Sequence, residues 1–179
     1  MSTDALWYLG RGTGVMALLL LTAAVAAGVL TWSGRTVAGV PRFAVAVVHR
    51  NAGLIATVLL VVHVSTLLFD PYAQLKLADL VVPFTSIYRP LWIGLGAAAF
   101  DLLLAIVVTS MLRTRIGLRG WRAVHWFAYA SWPLALLHVL GAGSDAGQAW
   151  LRALAVTCFI VVAGAATWRF AGRSREVPV

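Results

Sequence analysis

Charged side chains are scarce in this chain: 11% of its 179 residues are charged, whereas 61% are hydrophobic. A soluble domain carries about a quarter charged residues, so this composition excludes an ordinary soluble globular protein. Because apolar segments take up nearly the whole chain, we expect no separate soluble catalytic domain within it. The sequence therefore predicts an all-α, polytopic membrane helix bundle.

Cysteine and acidic residues are also rare. The single cysteine, Cys158, has no partner for an internal disulfide, and the C-x-x-C-H motif of covalent haem attachment is absent. Six acidic residues stand against fourteen Lys and Arg residues. Such an excess of positive charge can indicate nucleic-acid binding, but these arginines flank apolar segments, which membrane topology explains better.

Five apolar segments are each close to the ~20 residues that a helix needs to cross a bilayer. The expected spans are residues 13–32, 44–69, 91–112, 121–140 and 149–170. The first has small residues like those of a signal-peptide cleavage site, but its apolar run continues to Leu30, and we interpret it as a retained helix. The one long connection, residues 70–90, is apolar enough to predict a cap lying on the membrane.

The distribution of basic residues predicts the orientation. Ten of the fourteen lie in the loops after the first and third spans or in the C-terminal tail: Arg35, Arg42, Arg50, Arg113, Arg115, Arg119, Arg122, Arg169, Arg173 and Arg175. The opposite side has only Arg11, Lys76, Arg89 and Arg152, together with four of the six acidic residues. The positive-inside rule then places the N-terminus outside and the C-terminus in the cytoplasm of a plasma (inner) membrane protein.

All four histidines lie in two of the expected spans. His49 and His63 are fourteen residues apart on the second span, and His125 and His138 are thirteen apart on the fourth. Fourteen helical residues cover about 21 Å of a ~30 Å hydrocarbon core, so one histidine lies near each membrane face. Spans two and four run in the same direction, which pairs His49 with His125 in the cytoplasmic half and His63 with His138 in the outer half.

Histidine inside a membrane is costly, and a functional role with a named partner is the default interpretation. Hydrogen bonding to a backbone carbonyl is the structural alternative, and a proton relay is another. A zinc site is a weaker candidate, because each depth supplies two histidines with no carboxylate or thiolate to complete four ligands. Six-coordinate haem iron needs two axial ligands, which each depth supplies.

The helical spacing fits one pair better than the other. At about 100° per residue, fourteen residues return His63 to within roughly 40° of the face that carries His49. Thirteen residues leave His138 about 140° away from His125 on an ideal helix. Pro133 lies between them and cannot donate to the carbonyl of Tyr129, so we expect a kink there that turns His138 towards its partner.

Several other residues are candidates for the same site. Gly53, one turn after His49, either admits a porphyrin or packs against a helix. Haem propionates would find arginines near both membrane faces, although topology alone also places arginines there. For the inner haem the candidates are Arg50, Arg119 and Arg122, and for the outer haem Arg89 and Arg11.

Two residues lie between the predicted haem levels. Trp132 either eases electron passage or, as is commoner, packs in the core or against lipid. Asp101 is the one acid within a span, and we expect it to be neutral or to hydrogen-bond to a hydroxyl such as that of Ser131 or Thr57. A structural role for Asp101 is favoured over proton handling or quinone binding.

The paired-histidine spacing resembles the ferric reductase-like transmembrane domain family. This family includes the membrane core of NADPH oxidases, ferric reductases and the haem-bearing membrane subunit of a bacterial methionine sulfoxide repair system. The opening LGRGTG, Leu9–Gly14, is similar to its bacterial members. The resemblance implies two haem b groups, the inner one held by His49 and His125 and the outer one by His63 and His138.

The chain departs from the family pattern in having five expected spans instead of six, and its tail, Ala171–Val179, carries no flavin or nicotinamide domain. The resemblance then implies an electron conduit, the membrane component of an oxidoreductase, with a separate flavoprotein reductase or a quinol as electron donor. The acceptor near the outer loop stays open among iron(III), oxygen, quinone and a partner protein. The alternatives are a proton-coupled transporter or channel using the histidines and Asp101, and a purely structural subunit.

Overall fold

The computed structural model describes residues 3–33, 40–71, 74–143 and 145–173. These residues fold into seven helices, and this described part of the chain contains no β-strand. The helices are α1 (Thr3–Ser33), α2 (Arg42–Leu68), α3 (Leu77–Val81), α4 (Pro90–Met111), α5 (Arg113–His125), α6 (Ala128–Ala142) and α7 (Ala149–Arg173). Of the sequence features discussed above, Arg35, Arg175 and residues 72–73 lie outside the described residues.

Four of these helices, α1, α2, α4 and α7, are long and apolar enough to cross a membrane singly. Helices α5 and α6 together form a fifth candidate span, which is bent by 45° at a short break. The predicted all-α polytopic bundle of about five membrane helices is therefore confirmed. Each single span is helical along its length, and an α-helix satisfies its backbone hydrogen bonds within the segment, as a hydrocarbon environment requires.

A proline and a glycine set two of the helix boundaries next to the histidine-bearing segments. Helix α4 begins at Pro90, whose missing N–H is harmless in the first helical turn. Within α5, Gly117 has φ 75° and ψ 164°, a conformation that favours glycine, and it interrupts the helix. The residues from Leu118 to His125 then start a new helical direction towards α6.

Helix α1 is central to the bundle: it packs along α2 and also contacts α6 and α7, while α4 packs against α6. Small buried residues such as Ala17, Ala24 and Ala56 let α1 and α2 approach closely. One core cluster joins all five candidate spans: Leu18, Leu21, Ala56, Leu103, Trp132, Leu136, Ala155 and Cys158. Large apolar side chains on the outside, including Val58 and Ile160, are exposed, as expected for a surface that faces lipid.

The connection predicted as a cap folds back on the bundle. Its helix α3 holds the buried side chain of Asp79, which accepts hydrogen bonds from the backbone N–H of Lys76 and the hydroxyl of Thr85. The ring of Phe84 packs so closely on Gly94 of α4 that a Cβ there would overlap it. These contacts fix the connection against the start of α4.

Candidate functional site

The four histidines form two facing pairs between α2 and the broken span α5–α6. The ring centroids of His49 and His125 are 6.0 Å apart, with the planes at 71°. Those of His63 and His138 are 6.4 Å apart, at 82°. We name these pairs the His49 tier and the His63 tier. The structure thus brings together the two pairs expected from the topology.

The ring separations match those of two imidazoles that share one metal ion. An imidazole nitrogen lies about 1.1 Å from the ring centroid and about 2 Å from a bound metal, so two ligating rings have centroids about 6 Å apart. Within the described residues, no group of three or more His, Cys, Asp or Glu side chains converges. Each tier therefore offers two imidazoles and no third protein ligand, which fits the two axial positions of a haem iron.

Three of the four rings are oriented by hydrogen bonds from Nδ1 to backbone carbonyls. His49 donates to Ala24 at 2.7 Å, His63 to Gly10 at 2.6 Å and His138 to Trp92 at 2.8 Å. A carbonyl oxygen only accepts, so Nδ1 carries the proton and Nε2 of the neutral ring keeps its lone pair. Metal-bound histidines are fixed in this way, with the non-ligating nitrogen donating to a carbonyl or carboxylate.

His125 is held differently. Its Nδ1 is buried and has no hydrogen-bond partner among the described residues. The ring lies beside Trp121 instead, with centroids 4.9 Å apart and planes at 33°. The Nε1–H of Trp121 donates to the Ser110 hydroxyl at 3.1 Å, which ties this pair to the end of α4.

The distortion predicted in the fourth span exists, but its predicted position was wrong. The break follows His125 directly, at Trp126 and Phe127, and Pro133 lies inside α6. Around the break, N–H groups bond to the third residue before them, as in Tyr129 to Trp126. Such tight winding advances the chain by about 120° per residue instead of 100°, which rotates His138 in the direction that the thirteen-residue spacing requires.

A cavity of about 840 Å³, including its open mouth, lies at the His63 tier. Both rings of the tier line it, and its other walls are mostly apolar side chains of α1, α2, α4 and α6. Leu75, Asp79 and Leu80, from the connection predicted as a cap, also line it.

The two arginines predicted near the outer haem already have protein partners. Arg11 forms an ion pair with Asp145, and its guanidinium also lies over the rings of Trp7 and Trp150. Arg89 donates from Nη1 to the Gly141 carbonyl at 2.7 Å, which links the start of α4 to the end of α6. Both contacts position helices, whatever else these side chains bind.

The three arginines predicted near the inner haem are exposed. Arg50 follows His49 on α2, whereas Arg119 and Arg122 lie on α5 before His125. Their side chains are therefore available at the end of the bundle that carries the His49 tier. Their binding to propionates stays a prediction.

The expected hydrogen bond of Asp101 is not formed. The Ser131 hydroxyl donates to the Ala99 carbonyl at 3.0 Å, and the Thr57 hydroxyl donates to Gly53 at 2.8 Å. This alternative was wrong because membrane-helix hydroxyls bond readily to backbone carbonyls, here on the neighbouring helix or one turn earlier. The other alternative, a neutral Asp101, stays a prediction.

Trp132 and Gly53 differ in their surroundings. Trp132 is 6% exposed, and its Nε1–H donates to the Thr22 hydroxyl at 3.0 Å, so it is a core residue that joins α6 to α1. A Cβ added to Gly53 would meet nothing within 4 Å among the described residues, so this glycine does not serve close helix packing. It leaves open space one turn from His49.

Sequence reasoning missed the backbone carbonyls of Gly10, Ala24 and Trp92 as partners of the histidines. Carbonyls leave no residue-type signal, so this could not be seen from composition. One usable signal was present: Gly10 and Ala24 are fourteen residues apart on α1, the same spacing as His49 and His63 on the antiparallel helix beside it.

The fold and the two tiers define a polytopic helical membrane protein that presents two facing imidazole pairs. The model of the family described as ferric reductase like transmembrane component matches residues 13–136. The chain therefore belongs to this family, as its resemblance predicted, and its general function is transmembrane electron transfer. The matched range includes three of the histidines and ends two residues before His138.

Proteins with ferric reductase-like domains generally bind haem. No curated protein and no solved structure matches the chain significantly.

Proposed function

We propose that the chain binds two haem b groups, one in each tier, and carries electrons between the two sides of the membrane. His49 and His125 are the axial ligands at one level, and His63 and His138 at the other. The observation that carries this proposal is the pair of ring separations, 6.0 and 6.4 Å, which suit two imidazoles on one iron. Nδ1 of His125 has no hydrogen-bond partner among the described residues, so no hydrogen bond at Nδ1 opposes its role as a ligand.

The bound haem supplies the one-electron chemistry, and the chain supplies ligation, orientation and surroundings. The carbonyls on α1 and α4 keep three rings in the tautomer that presents Nε2. Mostly apolar walls surround the rings of the His63 tier. We assign the inner propionates to Arg50 and Arg122, with Arg119 beside them, because these side chains are exposed at the end of the bundle that carries the His49 tier.

The direction of transfer follows from the proposed orientation. With the basic loops in the cytoplasm, the His49 tier is the entry level and the His63 tier the exit level of an inner-membrane protein. A separate flavoprotein reductase or a quinol would donate electrons. The acceptor would meet the protein near the connection of residues 70–90, where Leu75 and Leu80 line the cavity of the His63 tier.

The proposal is tested by counting haems in the purified protein. We expect two haems per chain with the absorption spectrum of bis-histidine haem b. His63→Ala and His49→Ala are each expected to lose about half of the haem, since each removes one ligand from one tier. Ser65→Ala is the matched control, because this exposed α2 hydroxyl bonds only to Val61 of its own helix.

A folded wild-type chain without haem, or a His63→Ala protein that keeps both haems, would contradict this function. The proton-relay alternative has less support, because three imidazole Nδ1–H groups are committed to carbonyls and the hydroxyls of Ser131 and Thr57 do not donate to Asp101.

A further inference from the structure

The three carbonyls that accept from histidine share a feature: each lies four residues before a glycine. The pairs are Gly10 and Gly14, Ala24 and Gly28, and Trp92 and Gly96. We name such a carbonyl with its glycine a histidine seat. In every case the glycine is in close contact with the ring that its carbonyl binds.

The contacts leave no room for a side chain. A Cβ added at Gly14 would lie 2.9 Å from the His63 ring, and one at Gly28 would lie 3.1 Å from the His49 ring. At Gly96 it would lie 2.5 Å from Nδ1 of His138, the atom that forms the hydrogen bond. By contrast, a Cβ at Gly12 would meet nothing within 4 Å among the described residues.

Helix geometry explains why the glycine stands four residues after the carbonyl. The Cα–Cβ bond points towards the helix N-terminus, so a side chain covers the turn before its own Cα. The residue at i+4 therefore covers the carbonyl of residue i. Thr22 illustrates this on α1, where its hydroxyl bonds to the carbonyl of Leu18. A glycine removes that cover and admits a ring from the neighbouring helix.

Near the fourth histidine, His125, helix α4 again offers a carbonyl with a residue four positions later, but that residue is a serine and not a glycine. Fourteen residues after Trp92 and Gly96, nearly on the same face of α4, stand Ile106 and Ser110. The Ser110 hydroxyl donates to the Ile106 carbonyl at 2.6 Å and accepts from Trp121, whose ring lies against His125. His125 is the histidine whose Nδ1 has no partner among the described residues.

We propose that Gly14, Gly28 and Gly96 are positioning residues that seat three of the four haem ligands, and that His125 lacks a seat. This inference rests on the proposed function, in which these rings ligate haem iron. A hydrogen bond at Nδ1 makes an imidazole a more basic ligand, which favours the oxidised iron and lowers the reduction potential. The His63 tier has two seated ligands and the His49 tier one, so the His49 tier has the higher potential.

The first experiment compares Gly14→Ala with Gly12→Ala in the purified, haem-loaded protein. Both glycines lie on α1, so the helix-propensity change is the same. Gly14→Ala is expected to lose about half of the bis-histidine absorption, or to shift the midpoint potential of one couple alone, whereas Gly12→Ala keeps both couples unchanged.

Gly28→Ala, which has the smallest overlap, is the second variant and should affect the other couple. It keeps the test decisive if Gly14→Ala does not fold. A purely structural packing role for these glycines would move the midpoint of thermal unfolding without selecting one couple.

The second experiment is a spectroscopic redox titration of the wild-type protein and of His63→Ala. The couple that survives in His63→Ala belongs to the His49 tier, and we expect it to be the more positive of the two wild-type couples. A tenfold difference in the preference for oxidised over reduced iron corresponds to about 59 mV for one electron.

The outcomes separate this inference from the function on which it rests. A wild-type protein without two bis-histidine haems would overturn both. A wild-type protein with two haems, in which Gly14→Ala and Gly28→Ala change neither haem content nor either potential, would overturn the seats alone. A surviving His49 couple that is the more negative of the two would overturn the assignment of His125 as the unseated ligand.

Discussion

Each imidazole of the two tiers is held by a contact other than the one with its partner ring. Carbonyl oxygens fix His49, His63 and His138, whereas the indole of Trp121 fixes His125. A backbone carbonyl belongs to a helix hydrogen-bonded along its length, so it is a stiffer support than a long side chain. The rings are therefore preorganised by helix packing.

The hydrogen bond between Trp132 and Thr22 is expected to contribute measurably to stability. In Thr22→Val the buried indole N–H loses its acceptor, and we expect the free energy of unfolding to fall by about 1 kcal/mol, since interhelical hydrogen bonds in membrane proteins average ~0.6 kcal/mol and a stranded donor adds to the loss. Thermal unfolding in detergent measures this. Thr157→Val is the control, because its exposed hydroxyl bonds only within α7, and an equal loss there would contradict the interpretation.

At the scale of helices, the break between α5 and α6 matters most for the site. Trp126 and Phe127 keep near-helical dihedrals, with φ −61° and −65°, yet the span bends by 45° between the two histidines. Gly117 turns the chain earlier in the same segment. Together they let His125 and His138 belong to one span while each faces a different level of α2.

Pro133→Ala is expected to keep both haems, because the break lies at Trp126–Phe127, before the proline. Haem content per chain measures this. Inserting one alanine after Ser131 is the matched comparison, since it rotates His138 by about 100° relative to His125 and should lose the His63-tier haem. If Pro133→Ala lost that haem, the proline and not the break would set the position of His138.

At the scale of the whole molecule, the basic residues and the cap predict which end faces the cytoplasm. Cys158 is the single cysteine of the chain and is 1% exposed. A Cys158→Ala variant therefore has no native thiol, and cysteines introduced into it can be labelled one at a time. Ile87, which is 88% exposed in the connection before α4, and Arg115, exposed on α5, then offer single sites at opposite ends.

With a membrane-impermeant maleimide on intact cells, Ile87→Cys should react and Arg115→Cys should react only after the membrane is opened. Reversed labelling would overturn the proposed orientation and with it the assignment of the His49 tier as the entry level.

The class and the family could be predicted because they depend on local properties. Apolar length defines the spans, and the family model matches a range that includes His49, His63 and His125. The pairing of His49 with His125 needed only the topology, because spans two and four run in the same direction. The break was misplaced because Pro133 was the visible helix breaker, whereas the break lies at Trp126 and Phe127, where the sequence has neither glycine nor proline.

The sequence by itself determined that this chain lies in a membrane, that two of its helices carry histidines at matched depths, and that those histidines pair by level. Only the tertiary structure decided what fixes each ring. The acceptors are backbone carbonyls, which every residue carries. A carbonyl becomes a histidine seat only where the residue four positions later is a glycine and a neighbouring helix places an imidazole ring against that glycine. That depends on the register between α1 and α2 and between α4 and α6, a relation between helices that no single segment contains.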